Sequence, residues 1–358
     1  MNKQFRLYID FHVLQTIPPS CVNRDDTGSP KTAVYGGSVR ARVSSQSWKH
    51  AMRMVFRDIF EPEQVGQRTK KVPELLAKEI SDIDGEASAQ KLAMEALKLA
   101  GIGVKEKDNV TDALFFISKA QLQELAKLAV AGEKDKKLYK EALQKMPAID
   151  IALFGRMVAS DPSLNFDAAA QVAHSISTHA VHNEYDYFTA VDDCTPEDNA
   201  GAGHLGTVEF NSSTLYRYAT VNVNEKLVDQ LGDDTAKAVR GFAEAFVRSM
   251  PTGKQNTFAN RTVPDLVYIT VRNDQPINLV GAFEKPIPNS ADGYVSESSK
   301  CLISYAQQIY NTFVDVPNRA FGVGTAPELS QIADVMTMES TLDEMEKYIK
   351  RYIFDGVM

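Results

Sequence analysis

Residues 5 to 14, FRLYIDFHVL, alternate without a break, setting Phe5, Leu7, Ile9, Phe11 and Val13 on one face and Arg6, Tyr8, Asp10 and His12 on the other. A period of two held this long commits the N-terminus to a β-strand. After Pro18-Pro19 and the polar loop SCVNRDDTGSP, a Gly36-Gly37 turn leads to a second strand through Val39, Ala41 and Val43. From Ser45 the period changes. Trp48, Ala51, Met52, Val55, Phe56 and Ile59 fall at helical spacing, and Gln46, Lys49, Arg53 and Arg57 form a stripe on another face.

Between about residues 60 and 150 the chain becomes rich in Ala, Leu, Lys and Glu, with helical patterns in KLAMEALKLA and FFISKAQLQELAKLAV. This predicts a helical insertion. FDAAAQVAHSIST reads as a further helix, and FTAVDDCTPEDNAGAGHLG as a loop too long for an ordinary connector. LYRYATVNV and DLVYITVR read as strands, AKAVRGFAEAFVRSM and TLDEMEKYIKRYI as helices. Strands and helices interleave, so the expected class is α+β, with one helical and one loop departure and no internal repeat.

At 358 residues and 44% hydrophobic, the chain can bury a substantial core in one elaborated domain or in two to three smaller ones. No apolar run approaches bilayer length and no basic-then-apolar start resembles a signal peptide, so a cytoplasmic protein with no membrane partner is expected. Cys21, Cys194 and Cys301 are odd in number and lie in no CxxC pair, which favours reduced thiols over a disulfide framework or a zinc site. Asn211-Ser212-Ser213 and Asn260-Arg261-Thr262 match a glycosylation triplet, but a cytoplasmic chain never meets that chemistry. A net charge of -8 argues at first against nucleic acid. The average conceals an asymmetry. Residues 1 to 57 hold nine Lys and Arg against three Asp, a surplus of six, so the remainder carries -14.

Ser44 or Ser45 can cap the helix that follows, leaving backbone N–H groups and the positive end of the dipole facing outward. Arg40, Arg42, Lys49, Arg53 and Gln46 would surround that end, which makes it a candidate anion site. His174, His179 and His182, with Glu184 and Asp186, lack the spacing of a metal site. Gly201 to Gly206 match GxGxxG, yet the acidic run before them and the strand pattern after them are the wrong context for dinucleotide binding. Arg240-Gly241-Phe242-Ala243 mimics an RNA-recognition signature but belongs to a helical core stripe. Asp25 and Asp26 fit a turn-forming, salt-bridging pair better than catalytic carboxylates.

SCVNRDD, YGG, RARVSSQSWKHAMR, ALFGRMVAS, STHAVHNEYDYFTAVDD, HLGTVEF, YRYA and AFEKPI, in this order up to about residue 287, together resemble the backbone subunit of the type I-E CRISPR Cascade complex, the CasC family. The resemblance implies a modified RNA-recognition-type (ferredoxin-like) palm from residues 1–59 and 150–358, helical fingers at 60–149 and a thumb at about 190–220. Copies would line one CRISPR RNA. By the same resemblance Arg24, Lys31, Arg42, Ser44, Gln46, Lys49 and Arg53, with Asn23, Arg40 and Ser45 of the same stretches, would hold RNA phosphates and riboses. His204, Leu205, Thr207, Val208 and Phe210 of the thumb would wedge into the base stack. Ala170, on the helix read at 166–178, stands where the family would have a larger apolar wedge.

The implied partners are the CRISPR RNA, the target DNA strand in the guide heteroduplex, further copies of the chain and the large, small and guide-end-binding Cascade subunits. No catalytic residue, metal or cofactor is implied. Two other readings stand beside this one. The first is a metal-dependent, RNA-cleaving backbone subunit of a type III-like complex, using Asp25 or Asp26. The second is a stand-alone single-stranded RNA-binding protein.

Overall fold

A computed structural model describes residues 6–85, 88–190, 194 and 205–355. The N-terminal alternation forms β1 (Arg6–Ser20), a long strand that continues through Pro18-Pro19, where its register with its neighbour shifts. β2 (Thr32–Tyr35) and β3 (Ser38–Val43) form the hairpin around Gly36-Gly37. Gly36, at φ +56°, leaves no room for a side chain, because a Cβ there would strike the Glu284 carbonyl oxygen.

α1 (Ser45–Ile59) follows directly, and then the insertion: β4 (Gln67–Thr69), α2 (Val72–Asp84), α3 (Ala89–Leu99), β5 (Val104–Lys105), β6 (Val110–Thr111), β7 (Phe115–Ile117), α4 (Lys119–Val130), α5 (Lys136–Gln144) and α6 (Ile149–Phe154). Its helices enclose a core of their own around Leu76, Ile80, Leu97, Leu125 and Leu143. Val158 and Leu164 also join that core.

The chain then returns to the sheet. β8 (Ala170–Val172) and β9 (Ser175–Ser177) replace the helix expected at 166–178. Ala170 and Val172 point inward around an exposed Gln171 and pair with Val221 and Ala219, so sheet pairing overrides the helical preference of three alanines. β10 (Glu184–Thr189) and β11 (Leu205–Asn224) form an antiparallel arm, from Glu184 opposite Phe210 to Thr189 opposite Leu205. β11 then runs on into the sheet. After it come α7 (Glu225–Leu231), α8 (Thr235–Arg248), α9 (Gln255–Phe258), β12 (Leu266–Arg272), α10 (Val295–Thr312), β13 (Arg319–Gly324), β14 (Asp334–Val335) and α11 (Met338–Asp355).

The sheet order is β14-β13-β12-β1-β11-β9-β3-β2, antiparallel except where β14 joins β13. It is a mixed α+β architecture. β1 lies between β11 and β12, and both its faces are buried. Leu7, Ile9, Phe11 and Val13 pack under α1, α8 and α11 with Trp48, Phe242 and Met345. The opposite face is polar and aromatic. Asp10 accepts hydrogen bonds from Tyr218 Oη at 3.0 Å and the Ile277 N–H at 2.9 Å, and the His12 ring sits among those of Tyr216, Tyr218 and Tyr268.

Burial dominates the titration of this pair. It pushes the Asp10 carboxyl up to about 6, against the pull of its hydrogen bonds and Arg272, and pushes His12 down to about 3. Because Asp10 keeps its proton longer folded than unfolded, the stability it contributes is full below about pH 4 and is lost as pH rises through about 6. Asp10→Asn removes that loss. The variant's melting temperature relative to the parent should therefore rise between pH 4 and pH 7, by an amount on the order of 2–3 kcal/mol in stability. A pH-independent difference in thermal melts would contradict the buried ionisation.

Candidate nucleic-acid interface

The helix that carries the basic stripe is fixed at its first turn. Ser44 is the cap, its side chain accepting from the Ser47 N–H, and the Ser44 N–H donates to Asn23 Oδ1 at 2.9 Å. The 23–30 loop is thereby tied to α1. Trp48 Nε1 donates to Ser175 Oγ at 2.9 Å, and the fully buried Arg217 guanidinium lies 3.7 Å from the Trp48 ring centroid. Arg217 also donates to Gln15 and to the Phe246 carbonyl. These contacts set the rotation of α1, leaving Gln46 exposed and Lys49 half-buried at its outer edge.

Four cations, Arg24, Lys31, Arg42 and Lys49, lie around the start of this helix. Arg42 Nε donates to the Thr32 carbonyl, its terminal nitrogen lies 3.3 Å from His174 Nδ1, and the Lys31 carbonyl accepts the Arg42 N–H. Partial burial and the Arg42 and Lys31 charges hold the His174 imidazole below its usual pKa. Lys49 Nζ lies 5.8 Å from the Phe154 ring, and burial pulls its ammonium down. Arg24 is exposed on the adjoining loop. Among the described residues none of Arg24, Lys31, Arg42 and Lys49 has an ion-pair partner, whereas Lys71, Lys98, Lys119, Lys127 and Lys134 of the insertion each have one.

Beyond Lys49 a cleft of about 290 Å³ opens between α1 and the insertion, walled by Gln46, Lys49, Arg68, Phe116 and Phe154. Polar donors on one side and aromatic faces on the other can grip a phosphate backbone without reading base edges.

Two expected contact residues have partners within the fold, Arg40 in the interior and Arg53 at the wall of the same cleft. Arg40 is fully buried and donates to the carbonyls of Ser177, Phe283 and Glu284, holding the 283–284 turn against β9. It is a scaffold residue. Arg53 donates to Asp150 Oδ2 at 2.9 Å and to the Gly66 carbonyl, joining α1 to the insertion, with its guanidinium over the Phe116 ring. Ser44 and Asn23 likewise spend their side chains on the cap, while Ser45 and Gln46 remain at the surface.

The expected wedges separate too. Ala170 is buried on β8 and cannot protrude. Met157, 86% exposed at the rim of the cleft, projects furthest of its apolar side chains, with Leu114 also exposed there. Its neighbour Arg156 turns inward to the carbonyls of Phe116, Leu143 and Leu164, and burial pushes that guanidinium down to about 10. On the arm, Thr207 is exposed, Val208 and Phe210 are half-covered, and the Phe210 ring meets Phe258 at 5.8 Å. Leu205 is described as strand backbone, and His204 lies outside the described residues. Sequence reasoning passed over Tyr185 and Tyr187, both exposed on the face of the arm that also carries Thr207, although their i, i+2 spacing beside HLGTVEF was the signal.

Asp25 closes a local turn. Its carboxylate accepts from the Thr27 hydroxyl and from the Thr27 and Ser29 N–H groups, and these bonds, the hydroxyl first, hold it below the ordinary carboxylate range. His179 stacks on Tyr294 and bonds backbone groups at 180 and 214, apart from His174. Among the described residues no cluster of His, Cys, Asp and Glu is placed to hold a metal, and no helix is long and apolar enough to cross a membrane.

The chain matches the family model described as CT1975-like protein over residues 9–348. A chain of a solved "CRISPR RNA-guided surveillance complex, pre-nicking" superposes with a TM-score of 0.81 at 33% identity, covering 95% of this chain and 99% of that one. A chain of a second "CRISPR RNA-guided surveillance complex" gives 0.64 at 30% identity, with 96% and 99% covered. No curated protein matches.

The different surroundings of Arg40 and Lys49 separate their mutational effects. Arg40→Met strips two buried carbonyls and a part-buried one of their donor and should cost about 2–4 kcal/mol, while Lys49→Met should change stability by less than about 1 kcal/mol. Chemical denaturation of both variants measures this, and equal losses would contradict the division into scaffold and surface.

Proposed function

We propose, for a chain that belongs to the CT1975-like protein family, that it is the RNA-binding backbone subunit of a type I-E CRISPR surveillance complex. The observation that carries the reading is the set of unpaired cations, Arg24, Lys31, Arg42 and Lys49, around the start of α1 in a chain whose net charge is -8. Such a local surplus in an acidic protein makes a positive patch that attracts a polyanion, whose binding releases counterions. Two solved complexes that contain a chain of similar shape are described as RNA-guided, which points to CRISPR RNA as the polyanion.

In this reading the sheet with α1, α8 and α11 is the RNA-recognition-type palm, the insertion is the fingers and the β10–β11 arm is the thumb. Lys31, Arg42, Gln46 and Lys49, with Arg24, hold phosphates and riboses and leave base edges free to pair with a target DNA strand. Thr207, Val208, Phe210, Leu205, His204 and Met157 interrupt the base stack. Further copies and the other Cascade subunits complete a cytoplasmic antiviral particle, and the role requires no catalysis.

Lys49→Glu and Arg42→Glu should each weaken binding of single-stranded RNA about tenfold or more near 0.1 M salt. Each should also flatten the dependence of log affinity on log salt by about 0.7 per lost phosphate contact. Affinity that stays at the parent value across a salt series would overturn the placement.

A further inference from the structure

Helix α1 is a ridge with a hollow on either side. Gln46 and Lys49 face the cleft described above, while Ser47, Ala51, Met54 and Val55 turn toward a second cavity of about 940 Å³. Asn23 and Arg24 form one wall of it, and residues 250–253, after α8, form another with Arg261 at the rim.

The segment behind that wall has an unusual backbone. Lys254 has φ +48°, in the left-handed region that glycine enters freely and a residue with a Cβ does not. Gly253, just before it, is pressed so closely on Val22 that a Cβ would lie 2.1 Å from the Val22 carbonyl oxygen. That contact pins residue 254 beside the loop that carries Arg24. Burial pushes the Cys21 thiol up, and Arg24 and Lys254 both pull against it, which places the two cations on the same neighbourhood. Among the described residues the Lys254 ammonium has no hydrogen bond or ion pair. Arg261 has only a long contact, 3.5 Å, to the Arg248 carbonyl. Carboxylates lie here too: Asp25 is taken up by its own turn, Asp26 and Asp58 line the same wall, and Glu209 acts on the Cys21 thiol from the arm.

Lys254 is thus held in a backbone conformation that suits glycine, with its ammonium left without a partner in the fold. We propose that Lys254 is a further nucleic-acid-binding residue which, with Arg24 and Arg261, takes the phosphodiester backbone of single-stranded RNA where it passes the N-terminal end of α1. The inference rests on the RNA-binding reading and extends its track to the other side of the ridge.

Lys254→Gly isolates the side chain, because glycine keeps the backbone as it is. The variant should melt at the parent temperature or above, bind single-stranded RNA about fivefold more weakly near 0.1 M salt, and show a salt dependence flatter by about 0.7. Lys254→Arg should restore both binding values. Lys49→Glu, assayed alongside, separates the two claims. Weakening by Lys49→Glu with no effect of Lys254→Gly overturns the role of Lys254 and leaves the RNA-binding reading standing, whereas no effect of either removes both. A lower melting temperature for Lys254→Gly would assign the lysine to the fold, and unchanged RNA affinity with impaired association between copies would assign the cavity to a protein partner. Either result overturns the proposal.

Discussion

The pairing of β1 on both edges and its burial on both faces is the constraint from which the rest of the structure follows. An antiparallel strand covered on one side could leave the other to solvent, but here α1, α8 and α11 cover one face and α10 the other. The apolar face positions α1, because Trp48 packs into the same core as Phe11 and Val13. Arg217 reinforces this from the neighbouring strand, its cation against the Trp48 ring and its donors on Gln15 of β1 and the end of α8. The orientation of the basic stripe is thus inherited from the centre of the sheet.

Charge is organised by where partners are withheld. The insertion carries many lysines, and those at 71, 98, 119, 127 and 134 each meet a carboxylate. Beside α1, Arg42 is instead held by a backbone carbonyl and Lys49 by an aromatic face, which orient them without neutralising them. A net charge averaged over the chain hides this. The local potential that attracts a polyanion without sequence preference is raised most where cations have no carboxylate against them.

Much of this was legible in the sequence. The alternation at 5–14, the helix from Ser45 with its serine cap, the helix at 236–250 and the strand at 265–272 all appear, because each buries a face with the period of its element. The misreading at 166–178 came from alanines, which favour a helix in isolation and here serve as small inward residues of short strands. At the site, the sequence set Arg40 and Arg53 around the start of the helix together with Arg42 and Lys49. It could not show that Ser177, Phe283 and Asp150, from distant parts of the chain, would claim the first two. Met157 and Lys254 escaped for a related reason: a single methionine or lysine has no period, and only exposure or backbone conformation distinguishes it.

The central claim is that this chain coats RNA as a scaffold. The most direct measurement is to incubate the purified protein with end-labelled single-stranded RNA of graded lengths, with magnesium or with a chelator, and to resolve complex size and RNA integrity together. The account expects intact RNA in cooperative complexes whose protein content rises stepwise with RNA length. Evenly spaced cleavage that the chelator abolishes would contradict it, as would complexes of one size whatever the length of the RNA.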